Sequence, residues 1–484
     1  MLRNLNWLQS GQTFPPVSEV ERLERYANNL AIFHNDEWVI NNIYQPYFDR
    51  ISKTISNFGE VFSFPVLLNY QRLMTLKMAD LVCGDYPVIT GDSDDESEEI
   101  TEIRDHSAFD EKLYSTIIDI SRYGDAIWRV YKDTDGKNTF VVWDPATWFP
   151  IVSQDGTNTI TQQVLCWIVD GELEEERYLH AQIHSVGKYD YKVFKMDKYK
   201  GIISELVTEQ FGIRTGLDIN AVINLRAFST SDTVYGSDDY IIVDSLLAEV
   251  MVRIAQISNI LDKHADPAMT GPASMLIADE TNGSMYLKVG RFYAVSPGED
   301  QPKYLTWEGQ LDAAFKQIDL LLNQLYIVSE MGTALLGAIV SMGGQAISGT
   351  AMRFKMVNPL SKARRIANSL SLPVRRLISA MSKIGFPPLD LKNVSVEWAD
   401  GLPEDPREMV ELVKLITGAE HIMPLETAII EFYKRTPDEA KRWMEMLKTQ
   451  QLVEDEAAVN HPGPQNGTGV NTASKGSELG LKNF

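Results

Sequence analysis

The sequence predicts an α+β chain with a mainly antiparallel sheet in its first half and long helices in its second. Three observations carry this. Between about residues 126 and 226, short segments rich in aromatic and β-branched residues alternate with turn signals. Between 238 and 336, two long stretches repeat apolar residues at heptad spacing on either side of a short β-rich stretch. From 337 to 349, the apolar segment within LLGAIVSMGGQAISGTAMRFKM breaks the second helical stretch from a third with Gly337, Gly343, Gly344 and Gly349.

Composition bounds the function. The 484 residues suffice for two to four domain-sized units. With 44% hydrophobic and 23% charged residues, the balance is that of an ordinary globular protein. No apolar run approaches the ~20 residues that span a bilayer. The first residues lack the apolar core of a signal peptide, so a cytoplasmic compartment is expected. The 67 acids and 45 bases give a net charge of −22. Tight static binding of nucleic acid needs many bases against phosphates, and this balance excludes it. It leaves open a protein past which DNA slides without sticking. Cys83 and Cys166 lie far apart in apolar surroundings and read as buried structural thiols. The seven histidines show no metal-ligand spacing.

Taken in order, residues 1–30 read as an arm with a short helix. Leu67, Leu68, Leu73, Met74, Met78, Leu81 and Val82 then follow helical spacing, and Gly84 closes that helix. The run GDSDDESEEITE holds seven acids from Asp92 to Glu102. It lacks the EF-hand pattern and its glycine, and reads as a solvated loop. Ala126–Tyr131 and Thr139–Trp143 flank Asp135-Gly136, a hairpin signal. VLCWIVD and YDYKVFKMD continue the sheet.

The first rod, 238–264, can be capped by Ser237 or Asp238. Its Val243, Leu247, Val250, Ile254, Ile257 and Leu261 step by 4, 3, 4, 3, 4, which is a heptad seam. At ~1.5 Å per residue it is roughly 39 Å long. A long core helix would show the same periodicity. The second rod, 309–336, answers with Leu311, Phe315, Ile318, Leu322 and Leu325. Between the rods, Asn282-Gly283 marks a hairpin and RFYAVSPGEDQPKYLTW a further strand pair.

Beyond the glycine-rich break the chain is helical and locally basic, with Arg353, Lys355, Lys362, Arg364, Arg365, Arg375 and Arg376. Pro359 and Pro373 are expected to kink or break it. VSVEW reads as a strand, and amphipathic helices follow to about 450. From about Glu454 the composition predicts disorder.

Familiar catalytic signatures are missing. There is no G-x-x-x-x-G-K-[ST], G-x-S-x-G, H-E-x-x-H or metal-spaced Cys/His set. GGQAISG precedes a helix but has no lysine on the loop and no strand before it. Its glycines supply backbone freedom, and its apolar residues need a surface to touch.

In this order, NYQRLMTLKMADLVCGDYPV, SRYGDAIWRVYKD, WDPATWFPI, YGSDDYIIVDSLLAEV, AISGTAMRFKM and VSVEWADGLPEDPREMVELV resemble the portal proteins of tailed double-stranded-DNA phages. The resemblance runs over roughly residues 30–450. It implies the phage portal fold assembled as a ring, usually of twelve subunits. Residues 1–30 would be an N-terminal arm, 31–237 an α+β wing, 238–264 the first stem helix and 265–308 a small β clip. Residues 309–336 would be the second stem helix and 337–349 the apolar tunnel loop. Residues 350–402 would supply a helix crossing the wing and a strand, 394–398, returning to it. Residues 403–452 would form a helical crown and 453–484 a disordered tail.

The implied function is a channel at one capsid vertex through which double-stranded DNA is packaged and ejected without sequence preference. The implied locality is the virion, after assembly in the host cytoplasm. Partners would be further copies of the chain, the terminase large subunit, head–tail connector proteins, and the scaffold and major capsid proteins. No cofactor, metal, membrane or catalysis is implied. In the tunnel loop Gly337, Ile339, Val340, Met342, Gly343, Gly344, Gln345, Ile347 and Gly349 would meet DNA or neighbouring loops. Arg353 and Lys355 are candidate phosphate-facing residues, with pairing to acids of adjacent subunits an equal alternative. Asn282, Gly283, Lys288 and Arg291 are candidates for partner docking on the clip. Twelve copies would carry roughly −264 charges, so channel walls should be slippery unless locally basic. Two rival readings are a metal-dependent nucleic-acid enzyme using Asp92 to Glu102, and a membrane pore inserting Leu335 to Val340. The latter stretch is too short to span.

Overall fold

The computed structural model describes residues 1–55, 67–171, 176–206, 210–228, 230–265, 269–270, 276–278, 285–287, 303–304, 311–336, 354–382, 389–390, 392–399, 406–417, 423–433 and 437–460. They divide into two compact units, Met1–Leu402 and Pro403–Phe484.

The first unit opens with α1 (Val17–His34), α2 (Glu37–Ile55) and α3 (Tyr70–Cys83). The Asn69 side chain starts α3 by accepting the Arg72 N–H at 2.9 Å. After β1 (Val88–Thr90) comes α4 (Asp94–Ser107), where a solvated loop was expected. Its start is a reciprocal cap. Ser93 Oγ accepts the Glu96 N–H, and Glu96 Oε2 accepts the Asp92 N–H at 2.8 Å. Asp94, Asp95 and Glu96 complement the positive end of the helix dipole, while Ile100 and Ile103 bury the other side. The acidic run is therefore one exposed face of a helix. α5 (Phe109–Tyr123) ends on Gly124 at φ 81°, a left-handed cap.

The strands follow as β2 (Asp125–Lys132), β3 (Asn138–Trp143), β4 (Trp148–Val152), β5 (Ile160–Asp170), β6 (Arg177–Ser185), β7 (Lys188–Met196), β8 (Ile202–Leu206), β9 (Ile213–Arg214) and β10 (Val222–Arg226). β2 and β3 form the expected hairpin. Asp133 Oδ1 accepts the Asp135 and Lys137 N–H groups at 3.0 and 2.9 Å, and Gly136 takes φ 76°. One sheet has the order β10-β2-β3, and the other β4-β5-β6-β7-β8 with β9 also on β7. All these pairings are antiparallel.

The expected arm is instead part of this sheet's core, and its helix is long. Leu2 bridges Ile151 and Thr13 bridges Gly201. Trp7, Leu8 and Phe14 bury against Phe149, Val164, Cys166 and Phe194. Burial of these aromatics outweighs the polar residues between them. Both cysteines are buried and free. Burial pushes the Cys83 thiol up to about 12, so it is inert at neutral pH.

α6 (Asp244–Ala265) and α7 (Leu311–Val328) are the two rods, each shorter than its periodicity suggests. At ~1.5 Å per residue they span about 33 and 27 Å. Residues 238–243 form a turn before α6, with Asp238 Oδ1 accepting the Tyr240 and Ile241 N–H groups at 3.0 and 2.9 Å. α7 stops at a turn in which Glu330 takes φ 59°, and the short α8 (Gly332–Leu335) follows. The heptad seam is also divided. Val250, Ile254, Ile257, Ile318 and Leu322 pack between the rods. Val243, Leu247 and Leu325 are buried in the large core of the unit instead. Leu261 and Phe315 are each 49% exposed. The side chain of Leu311 lies outside the described residues.

Between the rods, β11 (Met269–Thr270) pairs with β14 (Lys303–Tyr304), and β12 (Leu276–Ala278) with β13 (Met285–Leu287). Asn282, Gly283, Lys288 and Arg291 lie outside the described residues. α9 (Val357–Met381) runs unbroken past both prolines. Pro359 sits in the first turn, where no N–H bond is lost. Pro373 is inside the helix, with Val374, Leu377 and Ile378 fully buried beyond it. Their packing outweighs the one hydrogen bond forgone. β15 (Ser395–Glu397) pairs antiparallel with β1, joining distant parts of the chain.

The second unit contains α10 (Pro406–Thr417), α11 (Leu425–Tyr433) and α12 (Pro437–Asn460). Among the described residues of this unit, Val413, Ala428, Ile429 and Ala440 are the buried apolar ones. α12 continues to Asn460, past the point where disorder was expected to begin.

Candidate functional site

The glycine-rich loop lies outside the described residues, including Gly337, Ile339, Val340, Met342, Gly343, Gly344, Gln345, Ile347, Gly349 and Arg353. The residues on either side of it are described, and Gly332 lies close to Lys355. Gly332 opens α8 at φ 65°, and a Cβ placed on it would lie 3.3 Å from Lys355 O and 3.5 Å from Pro359 Cγ. The start of α8 thus lies against Lys355 and the first turn of α9. Phe354 is 74% exposed. Lys355 is exposed and makes no ion pair among the described residues.

One buried lysine ties this base to the rods. Lys362 Nζ lies 2.7 Å from Asp239 Oδ1 and donates to Ser329 O at 3.2 Å. Asp239 Oδ2 accepts from Ser121 Oγ at 2.7 Å, and Thr75 Oγ1 bridges Ser121 and the Tyr240 hydroxyl at 3.0 Å each. A single network therefore joins α3, α5, the turn before α6, the end of α7 and α9. The basic character of α9 is partly spent inside the fold. Lys362 is buried, and Arg365 pairs with Glu330 at 2.8 Å on the surface.

Next to this network, two of the quoted motifs cross at their glycines. SRYGDAIW supplies Gly124 and YGSDDY supplies Gly236. A Cβ on Gly236 would fall 1.9 Å from Gly124 O, and one on Gly124 would fall 2.6 Å from Ser237 N. Only glycine permits this approach of backbone to backbone. Asp125, wholly buried, locks the crossing. Its Oδ1 accepts the Gly236 N–H at 2.9 Å, and its Oδ2 accepts the Tyr26 hydroxyl at 2.7 Å. Arg25 from α1 spans Asp238 at 2.7 Å and Asp244 at 2.6 Å, which fixes the start of α6. Arg22 reaches Trp148 O at 3.0 Å and covers the Tyr235 ring at 4.6 Å. α1, α5, β2 and the root of α6 thus form one rigid joint.

Burial raises the Asp125 carboxyl to about 6, against the hydrogen bonds from Tyr26 and Gly236. An unfolded aspartate titrates near ~3.9. The folded state therefore keeps a proton between these values that the unfolded state releases. Its stabilising effect is complete below about pH 4 and is lost as pH rises through about 6. Asp125→Asn cannot titrate; its Oδ1 still accepts the Gly236 N–H, and its Nδ2 can donate to the Tyr26 hydroxyl oxygen in a reversed bond. The stability of the parent relative to this variant should fall by about 2–3 kcal/mol from pH 4 to pH 7. Urea midpoints at pH 4, 5, 6 and 7 check this, and a constant difference would contradict the assignment.

Sequence reading found the segments of this joint but not their contact. The signal was present in the repeat of Tyr-Gly followed by acids at 123–125 and 235–239. Among the described residues no group of three or more His, Cys, Asp or Glu is arranged to hold a metal ion. No helix among them is long and apolar enough to cross a membrane.

Residues 20–198 match the profile of the family described as phage portal protein, SPP1 Gp6-like. The matched span runs from α1 to just beyond β7 and contains the Gly124 half of the crossing. No curated protein matches the chain. Among solved structures, the chain is similar to one from the neck of a native GTA particle computed with C12 symmetry. Identity is 12% and the TM-score 0.44, with 75% of this chain and 89% of that chain covered. A chain from the virion of a native gene transfer agent particle gives the same four values. A chain from the neck of an empty GTA particle computed with C6 symmetry gives 13% identity, a TM-score of 0.46, and coverage of 74% and 89%.

Proposed function

We propose, from the premise that this chain is a phage portal protein over residues 20–198, that its copies stand side by side in a closed ring at one capsid vertex and form the channel for double-stranded DNA. The family match is the observation that carries the reading. In it, α6 and α7 are the stem, residues 337–349 line the channel, residues 265–308 are the clip, and residues 403–452 are the crown. The ring is a passive conduit and gate. A separate terminase drives packaging from the clip, and head–tail connector proteins later take its place. Scaffold and capsid proteins meet the wing, and the finished protein resides in the virion.

Surface chemistry supports assembly. Leu261, Phe315, Leu320 and Ile327 on the two rods are each between 49% and 61% exposed. Apolar rods left open in one chain suit contact with the rods of the next. Twelve helices spaced at ~8–10 Å enclose a circle roughly 35 Å across. Removing one helix diameter of ~10 Å leaves about 25 Å, wide enough for a duplex of roughly 20 Å. The close approach of Gly332 to Lys355 gives each loop a fixed root. The glycines let its apolar tip follow a helical substrate that does not share the ring's symmetry, without the affinity that lysines would add.

Deleting Gly343 and Gly344 is expected to leave rings intact and to abolish DNA packaging. Ring formation is read by electron microscopy, and packaging by nuclease-protected DNA in an assembly reaction. Normal packaging by the deleted ring, or failure of such chains to form rings, would overturn the role given to the loop.

A further inference from the structure

Outside the joint, a cavity of ≈ 470 Å³ opens between the two sheets where β2 and β3 approach β6, β7 and β9. Arg129, Lys132 and Arg214 line it, with His184, Tyr189 and Asn138. Among the described residues no aspartate or glutamate lines it, in a chain of net charge −22. None of the three cations makes an ion pair with a described residue. Two buried polar atoms there lack any hydrogen-bond partner, Arg129 Nε and His184 Nδ1. His184 is 1% exposed, so this orphan is a buried one. Buried polar groups are rarely left in this state. The cavity thus holds one unpartnered cationic donor, Arg129 Nε, with Lys132 and Arg214 exposed on its rim.

The same chain displays a matching group elsewhere. Asp92, Asp94 and Asp95 at the start of α4 are exposed and make no ion pair with a described residue. They cannot fill their own cavity. His106, near the other end of α4, is held by Asp133 at 2.7 Å, in the turn flanked by Lys132 and Asn138. The twelve residues of helix between Asp94 and His106 place the acidic turn about 18 Å away along the helix axis.

We propose that this cavity receives the acidic first turn of α4 from a second copy of the chain, with a carboxylate seated between Arg129 and Arg214. Cavity and acidic turn are different surfaces, so the contact is head-to-tail, the kind that closes into rings. His184 stays neutral beside this carboxylate, because burial and the neighbouring Arg129 guanidinium lower its pKa to about 3, and its Nδ1 donates only in the tautomer whose Nε2 accepts. This inference rests on the reading of the chain as a ring-forming protein and adds which surfaces meet.

A charge exchange on the full chain tests it. Lys132→Glu with Arg214→Glu reverses the exposed rim of the cavity. Asp94→Lys with Asp95→Lys reverses the acidic turn. Each double variant, checked for an unchanged circular dichroism spectrum, should need at least about tenfold more protein for half-assembly in sedimentation velocity at low salt. Mixing the two in equal amounts should restore assembly to within about threefold of the parent, because each then offers the other a matched surface. Parent-like assembly of either variant, or a mixture that stays dissociated, would overturn the proposal. So would a cavity variant that assembles normally but loses affinity for a duplex oligonucleotide, since the occupant would then be nucleic acid. A parent chain that forms no closed ring, yet gives variants restored by mixing, would count against the ring alone.

Discussion

Gly236→Ala is expected to destabilise the first unit by about 3 kcal/mol or more, at the upper end of what overpacking costs. The added Cβ would sit 1.9 Å from Gly124 O and 2.6 Å from Gly124 C. Both atoms are backbone, so no side-chain rotation relieves the clash. The neighbours cannot easily move, because Asp125 holds the Gly236 N–H at 2.9 Å and Gly124 is the cap of α5. Gly136→Ala in the β2–β3 turn is the control. Gly136, unlike Gly236, has positive φ, at 76°, and nothing lies within 4 Å of its added Cβ. That change should cost only the left-handed penalty of about 1–2 kcal/mol. Denaturant midpoints separate the two. If Gly236→Ala is no worse than Gly136→Ala, the crossing is not a close approach.

Lys362→Met should cost about 3–5 kcal/mol. The side chains of Lys362 and Asp239 are only 7% and 15% exposed, so solvent screens the pair weakly. Removing the ammonium leaves the half-buried Asp239 without its ion-pair partner, with the Ser121 hydroxyl as its remaining side-chain donor. It also leaves Ser329 O without the lysine that binds the end of α7 to α9. Met keeps the length and apolar stem, so the loss reports the charge rather than a cavity. Adding Asp239→Asn should recover part of the loss by removing the orphaned charge. The surface pair of Arg365 and Glu330, 46% and 43% exposed, should cost no more than ~1 kcal/mol when Arg365→Met breaks it. Equal effects of the two methionines would contradict the claim that Lys362 anchors the loop base.

Much of this fold was legible because its signals are local. The Asp135-Gly136 hairpin, the alternating segments of β5 and β7, and both rods follow from periodicity and turn chemistry within short windows. The misses have a common cause. The first fourteen residues look like a polar arm, yet Trp7, Leu8 and Phe14 find their partners on β4, β5 and β7, more than a hundred residues away. Pro373 reads as a helix break until the buried residues after it are seen to hold the helix together. The rods look continuous by heptad, but Glu330 and Gly332 end the second by adopting positive φ, which periodicity does not register. α4 is a different failure. Its Ser93 and Glu96 capping pair was present in the sequence, and the weight of acidic residues hid it. Of the candidate site, the segments were readable and their meeting was not. Gly124 and Gly236 touch across 112 residues, and Lys362 meets Asp239 across 123.

The central claim is that copies of this chain close around a hole wide enough for DNA. Electron microscopy of the purified full chain, with particle mass from light scattering, tests it directly. The account predicts annular particles with a clear axial opening of about 25 Å and a mass near twelve chains. Monomers, compact dimers or open filaments across protein and salt concentrations, and equally when scaffold and capsid proteins are added, would contradict it.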